Sequence, residues 1–213
     1  MEFILENILN LIGFVVGLII GIFSYVGYKN TGSPTLFRLT LAFFSISIGF
    51  FVIWVGYAAE SFVIKSGQIE RWVQTLGIGI QTIGYFFIAF SHSIKAFFPK
   101  SRYFRSIIFP LFIFSGSSVE NIIRSISFIV LVYGTIETVI SYIEGKKKST
   151  LFVASGLGLL ALGEFLGWYS LVFPESILYP VSVSTKIVGL LALFIPVSRV
   201  SLRGMKFASD AEE

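Results

Sequence analysis

Seven apolar runs, each closed by a short polar stretch, divide the chain: residues 4–28, 35–59, 72–97, 103–117, 119–142, 150–173 and 178–198. About 20 apolar residues are needed for a helix to cross a bilayer, so six of these runs predict full spans. The fourth is shorter, with Pro110 inside it, and reaches only about 22 Å at helical rise.

The pattern repeats. Residues 6–54 laid on 120–168 give eleven identities without a gap, among them Glu6-Asn7-Ile8 on Glu120-Asn121-Ile122, Tyr28 on Tyr142, Gly49 on Gly163 and Trp54 on Trp168. With a small gap, Gly84 falls on Gly189. The expected architecture is all-α and integral to the membrane: a three-helix unit over 4–97, a linker helix over 103–117, a second three-helix unit over 119–198 and a short cytoplasmic tail over 199–213. A crossing by the linker makes the two units parallel, whereas without it they are inverted.

Charge placement favours the crossing. The basic residues cluster as Lys29 with Arg38, then Lys95 to Arg105, then Lys146 to Lys148, then Arg199 to Lys206. With seven crossings all four clusters share one side, as the positive-inside rule demands of the cytoplasmic face. The expectation is therefore a seven-helix 3+1+3 bundle in the plasma membrane, N-terminus outside and C-terminus inside. Trp54, Trp72 and Trp168 then fall at the outer interface, where amphipathic rings sit well. The acidic start, Met1 to Glu6, has no small-residue cleavage site and should be retained.

Composition agrees with a chain solvated by lipid. Of 213 residues, 55% are hydrophobic and 13% charged, and the mean hydropathy is +0.86. The net charge of +4 lies in loops and reads as topogenic, so no nucleic acid is expected as a partner. There is no cysteine and one histidine, which excludes thiolate chemistry and multi-His or Cys-ligated metal sites. No metal and no cofactor is expected.

Ionisable groups at membrane depth are costly and face the bundle interior with a partner. Glu164 and Lys186 lie about 13 and 12 Å from the outer ends of neighbouring helices, which predicts an intramembrane ion pair. Gln81 lies at matching depth and could complete a polar layer. The counterparts of Glu164 and Lys186 in the first unit are Phe50 and Gln81, so the charges belong to one half only. On the inner side Glu137 and His92 match in depth, either as a proton relay or as two groups that snorkel separately. Arg124 is expected to snorkel outward or to pair with Glu120. Gly13, Gly17 and Gly21, and again Gly163 and Gly167, recur every four residues and make a close-packing face, for a helix of this chain or for another subunit.

No nucleophile elbow, Walker A loop or zinc-binding His pair is present, and no enzymatic activity is expected. The stretch Val183-Ser184-Thr185-Lys186 resembles the surroundings of the retinal-binding lysine in microbial rhodopsins. However, residues 72–97 hold no Asp, Glu or Arg to act as counterion. The 3+1+3 plan is similar to that of the SWEET sugar transporters in architecture alone. Three functions follow as expectations. The first is an accessory or scaffold subunit of a larger, respiratory-type membrane assembly, with other membrane subunits or a second copy as partners. The second is a transporter or channel for protons or a small solute using Gln81, Glu164 and Lys186. The third is a membrane sensor module.

Overall fold

The computed structural model describes residues 2–63, 68–93, 119–173 and 177–209. These residues form six helices and no strand: α1 Glu2–Thr31, α2 Pro34–Val63, α3 Gln68–Ser93, α4 Val119–Gly145, α5 Lys148–Val172 and α6 Leu178–Ser209. All six are long and apolar enough to cross a membrane, and the chain is a multi-pass helical membrane protein. The run 103–117, expected as a linker helix, lies outside the described residues. The segment expected as a tail from residue 199 is helical as far as Ser209, continuing α6, whose apolar span ends at Val200. Pro196 removes one backbone donor without ending the helix.

Four of the six, α1, α2, α4 and α6, run past the C-terminal end of their apolar runs, which carries their last free carbonyls towards the polar interface. The α1–α2 turn is set by Gly32, with φ +66° and its N–H donating to the Tyr28 carbonyl at 2.7 Å. The α4–α5 turn is built the same way, 114 residues later. Lys146 adopts φ +48° and donates to the Tyr142 carbonyl at 2.7 Å.

The helices close a ring in which α1 packs on α2, α2 on α3, α3 on α4, α4 on α5, α5 on α6 and α6 back on α1. Contacts fix their directions. Gly13 meets Phe50 and Gly21 meets Phe44, so α1 and α2 are antiparallel; Gly56 meets Val73 and Gly84 meets Ile46, so α2 and α3 are too. Across the α3–α4 seam, Gly79 faces Ile123, the Thr82 and Ser127 hydroxyls share a 2.7 Å hydrogen bond, and Gly134 faces Ala89. Numbers rise together there, so α3 and α4 are parallel. Phe23 against Phe194, with Asn10 against Tyr179, makes α1 and α6 parallel as well. Ser93, where α3 ends, and Val119, where α4 begins, therefore lie at opposite ends of the bundle. Lys29, Arg38, Lys146 to Lys148 and Arg199 all lie at one end, and Trp54, Trp72 and Trp168 towards the opposite end.

Contacts within α1–α3 recur within α4–α6. Phe14 and Phe51 have ring centroids 5.1 Å apart, and Phe128 and Phe165, each 114 residues on, 5.8 Å. Gly49 is covered by Gln81 and the Gly77 carbonyl, and Gly163 by Lys186 and the Ser182 carbonyl. Gly84 abuts the Ala42 carbonyl and Ile46, and Gly189 the Gly156 carbonyl and Leu160.

Candidate functional site

Two glycines of α5 make room for two cations. A Cβ on Gly163 would meet Cγ of Lys186 at 2.5 Å, so the lysine stem lies flat across the helix. The same atom on Gly167 would collide with the guanidinium of Arg124 and meet the Ser182 hydroxyl at 2.9 Å. Ser182 in turn donates to the Gly163 carbonyl at 2.8 Å, tying α6 to α5 beside the charges. Small residues let backbones approach closely in lipid; here they also let long polar side chains reach inward.

Glu164 lies between these cations. Its Oε1 is 2.6 Å from Lys186 Nζ and its Oε2 is 3.5 Å from Arg124 Nη1. Arg124 is anchored on its own helix by Glu120, whose Oε1 accepts from Nη2 at 2.9 Å and from Nε at 3.0 Å. All four residues are buried, Glu164 completely. Two carboxylates and two cations leave no net charge, which is what burial of ions at this depth requires. Tyr85 of α3 brings its fully buried hydroxyl against Glu164, outside strict hydrogen-bond geometry. Towards the tryptophan end, the Tyr179 hydroxyl meets the side chains of Asn10 and Tyr57 and lies near Arg124.

The expected meeting of Glu164 with Lys186 is present as a contact. Arg124 does not snorkel outward: a partner four residues back and a second on α5 hold it inside. The sequence reading missed that it bridges two carboxylates, although its distance of five residues from the start of α4 signalled its depth. Gln81 does not join the pair. It is fully buried against Gly49, and neither amide atom has a hydrogen-bond partner among the described residues. Gly13, Gly17 and Gly21 pack on Phe50, Ser47 and Phe44 of α2, so this face serves the chain itself. Glu137 is half-buried on α4; the side chain of His92 lies outside the described residues, and with it their expected contact. Among the described residues no group of three or more His, Asp or Glu is placed to hold a metal.

Below the charges, towards the basic end, every helix contributes an apolar side chain to one plug. Ile20, Phe43, Ile88, Leu131, Leu157 and Leu190 are each 0 or 1% exposed and belong to one core cluster. The pairings Gly21–Phe44, Gly134–Ala89, Gly134–Leu157 and Gly156–Gly189 place them within about a turn or so of one another. Beyond the plug, Thr40, Ser91 and Thr138 bond back to carbonyls of their own helices. The interior is polar on one side of this layer and apolar within it.

The chain matches no protein-family model, no curated protein and no solved structure. What it does has to be read from its own geometry.

Proposed function

We propose that the protein is a non-catalytic plasma-membrane transporter for protons or a small solute, working at the cluster around Glu164 without a cofactor. In this reading it has seven spans, residues 103–117 being the crossing between two parallel three-helix units, with the N-terminus outside. The recurrent contacts support the two units. Matching α1, α2 and α3 to α4, α5 and α6 advances each helix three places round a ring of six. That is a half-turn about the bundle axis, which keeps the units parallel, whereas an in-plane axis would reverse the order round the ring.

The single observation that carries transport is where the charges lie. Glu164 of one unit faces Tyr85 of the other, and Tyr179 faces Asn10 and Tyr57, so the polar groups gather where the units meet. Repeat interfaces at mid-membrane are where transporters of this plan hold substrate. The apolar plug supplies closure towards the basic end, since a narrow dry stretch is a barrier to ions. Proteoliposome flux tests the reading: wild type moves protons or solute along an imposed gradient and Glu164→Gln loses the dependence on protons. Equal flux from wild type, the variant and empty liposomes refutes it.

A second reading is an accessory subunit of a larger membrane assembly. It is favoured by the closed state of Glu164, 0% exposed with both oxygens facing cations, which is how a purely structural lock would look. Co-purification with a defined partner in mild detergent, together with absence of flux, distinguishes it.

A further inference from the structure

We infer that the cluster of donors around Glu164 is an anion site, and that a small monovalent anion takes the place of the carboxylate as Glu164 takes up a proton. The inference rests on the transport reading and names its substrate class.

Three groups from three helices converge on the Glu164 carboxylate: the Lys186 ammonium of α6, the Arg124 guanidinium of α4 and the Tyr85 hydroxyl of α3. Such a set of donors is a seat for an anion. The cations are held by something other than the carboxylate they face. Glu120 grips two nitrogens of Arg124, and Gly163 cradles the stem of Lys186. Glu164 stands on a two-carbon arm and is the movable member. Its contact with Arg124 at 3.5 Å is well beyond the roughly 2.7–2.9 Å of a tight charge-assisted bond, and the Tyr85 hydroxyl has no strict partner. The carboxylate thus holds Lys186 closely, at 2.6 Å, and Arg124 loosely.

Three of these four charges have neutral counterparts in α1–α3, and Glu6 stands for Glu120. At the matching places in α1–α3, Asn10 stands for Arg124, Phe50 for Glu164 and Gln81 for Lys186. A neutral trio packs the same helix contacts there.

Charge balance sets the stoichiometry and the size of the ligand. With two cations and two carboxylates the cluster is neutral. A proton placed on the Glu164 carboxyl leaves one positive charge in excess, which is costly at this depth. One monovalent anion in the vacated seat restores neutrality, whereas a divalent anion overshoots it. The proton ends on the Glu164 carboxyl oxygen, the anion between Lys186, Arg124 and Tyr85, and the two move together as an electroneutral pair. A seat that a carboxylate fills suits formate or chloride.

The test needs no transport. Purified Glu164→Ala in detergent is melted against sodium formate, with sodium sulfate at equal ionic strength as control. Its Tm rises by roughly 5–10 °C once formate reaches a hundredfold excess over its Kd, and Glu164→Ala/Lys186→Gln does not respond. Glu164→Gln, which preserves bulk, guards against a variant that does not fold. In liposomes a formate or chloride gradient drives proton uptake by wild type, while Glu164→Gln carries the anion without the proton. Proton flux indifferent to the anion, with no selective stabilisation by formate, overturns the anion site and leaves transport standing. Stabilisation by formate without any flux keeps the site and overturns transport.

Discussion

Lys186 lies across Gly163 as Gln81 lies across Gly49, each placing its Cγ 2.5 Å from where the glycine's Cβ would stand. The two residues hold the same station in α6 and α3, one charged and one neutral. Alanine at either glycine has to push the neighbouring helix away. At Gly49 the Gly77 carbonyl lies 2.6 Å from the new atom, at Gly163 the Ser182 carbonyl 3.1 Å. Gly49→Ala should therefore lower stability by about 2–3 kcal/mol and Gly163→Ala by about 1–2 kcal/mol, read as shifts in detergent unfolding. Only the second should also alter flux, because it displaces Lys186.

Removing one member of the ion pair leaves the other unmatched. Lys186→Gln should cost about 3–5 kcal/mol, as breaking a buried pair does. Installing the trio from α1–α3, by Arg124→Asn, Glu164→Phe and Lys186→Gln together, should recover part of that loss, since Glu120 then loses Arg124. The triple variant should be silent in flux. Thermal unfolding and liposome assays on the same preparations separate the two roles; a triple variant no more stable than Lys186→Gln would mean that the charges are structural.

The α4–α5 turn carries a correctable strain. Lys146 occupies a left-handed conformation that Gly32 occupies in the equivalent turn. Lys146→Gly should raise stability by about 1 kcal/mol, and Gly32→Lys should lower it by a similar amount. Equilibrium unfolding of the two variants checks the pair.

The plug predicts a leak. Leu157→Ser places a hydroxyl in a layer to which each of the six described helices gives an apolar side chain and should raise passive proton permeability of proteoliposomes severalfold, since hydration of a narrow apolar stretch governs its resistance. Leu162→Ser, on the exposed face of α5, should change nothing. Decay of a pyranine-reported pH gradient measures both.

Because the chain has no cysteine, single cysteines report sidedness directly. Lys29→Cys and Lys147→Cys should react with an impermeant thiol reagent from one face of the membrane, and Trp72→Cys from the other. Labelling of Lys29→Cys and Lys147→Cys from opposite faces would contradict parallel α3 and α4.

Much of the bundle was legible in the sequence because lipid makes hydropathy and span length nearly equivalent. The depth of Glu164 and Lys186 was legible for the same reason, as helical rise converts residue count into distance. The pairing of Arg124 with Glu120 was legible in their four-residue spacing, but its reach to Glu164 was not, because a long basic side chain near a helix end can point either way. What decides is Gly167 on a different helix, whose missing side chain leaves the slot. That Gln81 packs on Gly49 and not on the ion pair was not legible, because equal depth is not equal azimuth and the rotation of α3 is set by its glycines, Gly77 and Gly84, against α2. The extension of α6 beyond residue 198 to Ser209 left no sign in the apolar pattern.

The placement of the charges also bears on how the chain is made. Glu120 and Arg124 share a helix, so this pair reaches the bilayer already matched. α5 then brings one carboxylate and α6 one ammonium. A nascent chain arrested between them holds a lone acid among lipid tails, with only the far side of Arg124 to answer it. Insertion of the second half is thus favoured as a hairpin, with the last span delivering the counter-charge and sealing the ring against α1 in one step.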